Sequence, residues 1–126
     1  MVVDLVPGWT FETERGPDWL FIRPIPPADI MQGGEVEFAE AVWELMDQQF
    51  CYRVVLEMDR IPILRSWLIG QLVLLHKRIT LHDGLMRLAG MSDSNQEVLC
   101  MVRLADRFPQ YPDRGAAVMG RRPKPR

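Results

Sequence analysis

Apolar positions recur along this chain with two different periods, and the alternation between them predicts a layered α/β domain. Thr10–Arg15 and Trp19–Arg23 have the short period of strands, and Gly16-Pro17-Asp18 between them has turn chemistry, so an antiparallel hairpin is expected. Pro24, Pro26 and Pro27 should end the second strand and open a loop. From Gly34 to Gln49 the period lengthens. Val36, Ala39, Val42, Trp43, Met46 and Phe50 recur at spacings of three and four, while Glu35, Glu37, Glu40, Glu44 and Asp47 take the other face. This predicts a helix with one inward face and one acidic, solvated face.

The second half repeats the alternation. Val54–Met58 reads as a covered strand. Trp67–Thr80 reads as a deeply packed helix, with Leu68, Leu72, Leu75 and Ile79 on one stripe and Ser66 as its N-cap. His76, Lys77 and Arg78 suit the negative end of that helix dipole. After the turn His82-Asp83-Gly84, Leu85–Ala89 is the next strand. Ser94 and Glu97 have capping-box spacing and predict a helix that buries Val98, Met101, Val102 and Leu104. Arg107–Tyr111 reads as a short last strand and Pro112–Met119 as a small terminal helix. Strand–helix–strand crossovers place strands in parallel, so the expectation is one α/β domain with a mixed sheet of four to five strands and helices packed on it. Its bounds are residues 10–119, with 1–9 as an N-terminal extension and 120–126 as a basic, disordered tail.

Composition bounds the chemistry. At 126 residues, 48% hydrophobic and 25% charged, the chain can bury one core without metal or disulfide support. Eleven basic and seventeen acidic residues precede Arg121, a net charge of −6, and four basic residues crowd the last six positions. An acidic body does not favour phosphate backbones, so no direct nucleic-acid partner is expected. No apolar run reaches the roughly 18–20 residues that span a bilayer, and no targeting segment opens the chain, which points to the cytoplasm. Cys51 and Cys100 lack metal-ligand spacing and read as free, buried thiols.

Little in the chain suggests catalysis. His76 and His82 are the only histidines, Ser66 is not in a Gly-x-Ser-x-Gly elbow, and Gly33-Gly34 is an isolated pair rather than a phosphate loop. The expectation is a protein without enzymatic activity, metal or cofactor. The feature that stands out is the single hydroxyl of Ser66 at a strand-to-helix corner. A helix start offers unpaired N–H donors and a positive dipole end, and tolerates a phosphate.

Around that corner the chain resembles a family. The order of elements, with Val54-Val55-Leu56-Glu57-Met58, Ile63-Leu64-Arg65-Ser66-Trp67-Leu68-Ile69-Gly70 and Leu85-Met86-Arg87-Leu88-Ala89-Gly90, is similar to that of STAS domains of the anti-sigma-factor antagonist type over residues 10 to 118. The segment Leu104–Tyr111 resembles the closing strand. In that family the corner reads Asp-Ser-Ser/Thr-Gly-x-Gly, and a partner anti-sigma kinase phosphorylates its first serine. The dephosphorylated antagonist binds the anti-sigma factor and frees a sigma factor.

The resemblance implies that Ser66 is the phosphoacceptor and that Arg65, Ser66, Trp67 and Gly70 form the partner-binding corner. It implies a transcription regulator whose partner is an anti-sigma factor and serine kinase, with self-association to a homodimer left open. Three positions depart from the pattern: Arg65 replaces the aspartate, Trp67 the second hydroxyl residue and Leu68 the first glycine. The departures keep open a STAS scaffold subunit that is never phosphorylated, and the apolar helix Trp67–Thr80 keeps open a STAS module serving a transporter or lipid pathway.

Overall fold

A computed structural model of the chain describes residues 2–6, 8–27 and 37–120. Strands β1 (Val2–Val6), β2 (Trp9–Arg15), β3 (Leu20–Ile25), β4 (Arg53–Glu57), β5 (Leu85–Ala89) and β6 (Gln110–Tyr111) form one sheet in sequence order. The first three are antiparallel and the last three run parallel to β3, so the sheet is mixed. Strands β2–β6 are the five expected within the domain. Residues 1–9, read as an extension, add a sixth through Val2–Val6, which pairs with β2. Helices α1 (Phe38–Gln48), α2 (Ser66–Leu81), α3 (Asp93–Met101) and α4 (Arg114–Met119) complete the described elements. The expected start of the first helix at Gly34–Val36 and the tail at 121–126 lie outside the described residues.

Side-chain alternation in the strands divides the interior in two. Trp9 and Phe11, Leu20 and Ile22, Val54 and Leu56, Met86 and Leu88 point to one face, where α1, α2 and α3 cover them with Phe38, Leu72, Leu75, Ile79 and Leu99. The opposite face carries a smaller cluster of Trp19, Val55, Ala89 and Tyr111 beneath Ala117 of α4. The predicted α2 stripe of Leu68, Leu72, Leu75 and Ile79 is buried throughout.

Four local expectations need correction. Pro24 does not end β3. Pairing with β4 stops at Ile22, so beyond that point β3 is bonded on the β2 side only, an edge position that tolerates a missing N–H. Phe50 is 84% exposed, because α1 ends at Gln48 and Phe50 itself takes the left-handed turn conformation at φ 49°. α3 is capped by Ser92, whose hydroxyl accepts from Asn95 N–H at 3.2 Å, and not by Ser94. That earlier start turns Asn95 and Leu99 inward and leaves Met101 and Val102 exposed. Finally, α2 begins at Ser66 itself, with Arg65 in the cap position.

One glycine is demanded by close approach. A Cβ on Gly84 would lie 2.1 Å from the Tyr52 carbonyl oxygen, which accepts from Leu85 N–H as β5 starts beside β4.

Candidate functional site

The corner of interest lies beyond the carboxyl end of β4, where eight residues lead into α2. Its start is tied down from the sheet's open face. Glu57, at the end of β4, is nearly buried and accepts from Arg23 at 2.9 Å and from Arg114. Arg23 also reaches Asp59 at 3.0 Å and Glu12 at 3.4 Å. Burial pushes the Glu57 carboxyl above the usual carboxylate range, against the opposing pull of Arg23. Met58 N–H donates to Ala89 O at 2.8 Å, so the first residue of the loop remains fastened to β5.

The middle of the loop is held by Asn95, a buried polar residue of α3. Its side-chain oxygen accepts from Leu64 N–H at 2.9 Å and its amide donates to Ile61 O at 3.0 Å. One side chain therefore satisfies a donor and an acceptor that would otherwise be buried in an irregular segment. Ile61 and Leu64 turn into the core, while Pro62 and Ile63 face outward. Sequence reasoning missed Asn95 because it placed the cap on Ser94. A Ser-x-x-Asn pair beginning at Ser92 was the available signal.

The loop delivers Ser66 to the first position of α2, with its side chain exposed. The expected N-cap role passes to Arg65, which is extended at φ −82° and ψ 158°. Arg65 O accepts the first helical bond, from Ile69 N–H at 3.0 Å, but the Arg65 side chain does not cap the helix. The first-turn N–H groups, which have no acceptor within the helix, lie beside the Ser66 hydroxyl. Arg65 and Gly70 are exposed, and Trp67 is half-buried. All four expected site residues thus cluster on the opening turns of one helix.

Trp67 is fixed rather than free to swing. Its ring meets Trp9 edge-on at 6.1 Å, and Trp9 is buried against Phe11 and Phe38. Trp9, Pro26, Ile61, Pro62, Ile63, Arg65, Trp67 and Leu68 line a shallow apolar notch beside Ser66. Apolar spacing does not place Trp9 and Pro26 at the corner, since they reach it only when the β2–β3 hairpin docks beside β4.

The two histidines have separate neighbours. Arg107 Nε donates to His76 Nδ1 at 3.0 Å, and burial together with that guanidinium pushes the imidazole below its usual value. His76 is thus a half-buried polar acceptor and not a helix-end cation. His82 stacks on Tyr52 and meets Trp43 edge-on. Among the described residues no group of three or more His, Cys, Asp or Glu side chains is arranged to hold a metal ion. Both cysteines are unpaired and Cys51 is buried as expected, but Cys100 is exposed on α3, against the expectation of a buried thiol.

No protein-family model matches the sequence, and no curated protein matches it either. Solved structures do match. An anti-sigma factor antagonist from Mycobacterium paratuberculosis superposes with a TM-score of 0.70 at 15% identity, over 91% of this chain and 96% of that one. A STAS domain protein from Planctomyces limnophilus gives 0.67 at 19% identity, over 87% and 96%. The Bacillus cell-fate determinant SpoIIAA in its phosphorylated form gives 0.60 at 14% identity, over 88% and 99%. This is the STAS fold. Within this fold Arg65, Trp67 and Leu68 sit on a backbone similar to that of the solved anti-sigma-factor antagonists, so they change the corner's surface and leave the architecture intact. No helix among the described residues is long and apolar enough to cross a membrane.

Proposed function

We propose that the chain is a regulatory protein-binding module of the anti-sigma-factor antagonist kind, engaging an anti-sigma factor and serine kinase through Arg65, Ser66, Trp67 and Gly70. Phosphorylation of Ser66 is its switch. The observation that supports this best is the placement of Ser66, an exposed hydroxyl at the first position of α2 in a fold shared with antagonists, one of them solved in a phosphorylated form. On this reading the protein is a cytoplasmic transcription regulator that acts by binding rather than catalysis. A phosphate at Ser66 adds about 1.5 to 2 negative charges at the positive end of a helix dipole, a position the helix tolerates and a partner can read.

The test is incubation with a candidate anti-sigma kinase and ATP, read by intact mass. One phosphate should appear on the wild-type chain and none on Ser66→Ala. Labelling that survives this substitution would place the switch elsewhere.

Trp67 favours a second reading. Its ring stands against Trp9, where the antagonist pattern has a small hydroxyl residue, and this suits a constitutive STAS subunit that binds without phosphorylation. Equal partner binding by Ser66→Ala and Ser66→Asp, with loss in Trp67→Ala, would select it over the first.

A further inference from the structure

A second cleft lies away from the Ser66 corner, between the last turns of α2 and the segment before β6. His76, Lys77, Thr80, Leu81 and Arg107 line it, and its volume is about 360 Å³, within the range of small-ligand clefts. Lys77 stands about 16 Å from Ser66 along the helix axis. The wall of this cleft is fixed from behind. Phe108 is buried and meets the His76 ring edge-on at 5.3 Å. Its N–H donates to Leu104 O at 2.9 Å, and its carbonyl accepts from Gln110 Nε2 at 2.7 Å. On this backing Arg107 Nε donates to His76 Nδ1 at 3.0 Å.

The charge balance of the cleft is one-sided. A guanidinium commonly finds a carboxylate, as Arg78 does in Glu40 at 2.7 Å. Arg107 has a neutral imidazole instead, which aims the fork through Nε and leaves its positive charge unopposed. Among the described residues the two terminal amino groups of Arg107 have no acceptor, and neither has the Lys77 ammonium. Asp83 and Asp106, the acids adjoining these segments in sequence, are exposed and form no ion pair. The helix end does not supply the missing negative charge. Ile79 O and Thr80 O already accept from the N–H groups of His82, Asp83 and Gly84, and His76 O accepts from Thr80 Oγ1 at 2.7 Å.

We infer that this cleft binds a small organic phosphate, its head on Arg107 and Lys77 and its apolar body along Leu81. Two unopposed positive charges suit a dianion better than a single carboxylate, and the Arg107 fork can hold two phosphate oxygens at once. Leu81 is 85% exposed and offers the body an apolar wall that the core does not use. His76 is a positioning residue, because it aims the guanidinium. The inference is independent of the antagonist reading, since it uses no residue of the Ser66 corner.

The test titrates the full chain at neutral pH with phenyl phosphate, inorganic phosphate, benzoate and benzyl alcohol, followed by amide chemical shifts. Phenyl phosphate should move residues 76–81 and 106–108 and bind most tightly. Inorganic phosphate, without the apolar body, and benzoate, with one charge, should move the same residues at higher concentration. Benzyl alcohol should leave them in place. Arg107→Gln should weaken phenyl phosphate binding roughly tenfold, and Lys77→Ala about threefold. Unchanged shifts across the sheet would show that both variants are folded. His76→Leu should lose nearly as much as Arg107→Gln, whereas His76→Gln, which keeps an acceptor for Arg107 Nε, should restore most of the affinity.

Binding that survives both Arg107→Gln and Lys77→Ala would overturn the inference, as would no response of these residues to any probe. Benzoate or benzyl alcohol binding as tightly as phenyl phosphate would remove the phosphate head from the argument. Equal losses in His76→Leu and His76→Gln would reduce His76 to a packing role. Silence towards the soluble phosphates, with binding to vesicles containing phosphatidic acid, would make the cleft a membrane contact and not a small-ligand site.

Discussion

At the scale of single residues, His76 shows how local contacts override a sequence expectation. Its position near the end of α2 suits a cation on dipole grounds, but Arg107 Nε points at its Nδ1 from 3.0 Å and requires an unprotonated acceptor there. Burial and the guanidinium both lower the imidazole from its ordinary value of 6.5. The unfolded chain then takes up a proton before the folded one does as pH falls. Stability attributable to this residue is complete above about pH 6.5 and is lost as pH drops through the lowered folded value. Thermal unfolding followed between neutral and mildly acidic pH should show the wild type losing more stability than His76→Gln. Parallel curves for the two proteins would show that His76 does not resist protonation.

At the scale of elements, the useful comparison is between what alternation encodes and what it omits. The hairpin, the α2 stripe and the β4–α2–β5 crossover were legible, because each depends on apolar spacing within one segment. Phe50 fits the α1 stripe by spacing but lies past the helix end, so periodicity alone turned it the wrong way. The corner was half legible. Arg65, Ser66, Trp67 and Gly70 are neighbours in sequence and necessarily share the opening turns of α2. Trp9 and Pro26 reach the same place only through sheet pairing, and Asn95 only through docking of α3. Asn95 is the clearest case of one element shaping another. Its two hydrogen bonds to Ile61 and Leu64 hold the loop that presents Ser66. Asn95→Leu leaves a buried N–H and C=O without partners, and should cost about 1–3 kcal/mol for each group left unsatisfied. Hydrogen exchange should show the loss at residues 61–66 before it shows in β4 or β5. Uniform loss across the sheet would mean that Asn95 supports the whole core rather than the corner.

At the scale of the molecule, the two faces of the sheet are covered unequally. Three helices seal one side, while on the other a six-residue helix covers Val55, Ala89 and Tyr111. So short a helix is not stable alone, and α4 is secured by contacts at both ends. Asp113 caps it by accepting from Ala116 N–H at 2.8 Å, and Arg114 joins it to Glu57 and Glu14. Arg87 of β5 donates to the Ala117 carbonyl at 2.7 Å, with its guanidinium over the Trp19 and Tyr111 rings. Between these ends the apolar contact centres on Ala117, which is fully buried. Ala117→Asp would bury a carboxylate against Val55 and Tyr111, and α4 should lift off rather than accommodate it. Because α2 packs on the other face, the Ser66 corner should survive that loss. The expected result is faster exchange of α4 and β6 amides and increased exposure of Trp19, with partner binding at the Ser66 corner retained. If binding at the corner fell together with α4, the two faces would be coupled through Glu57, the residue that α4 shares with the loop leading to Ser66.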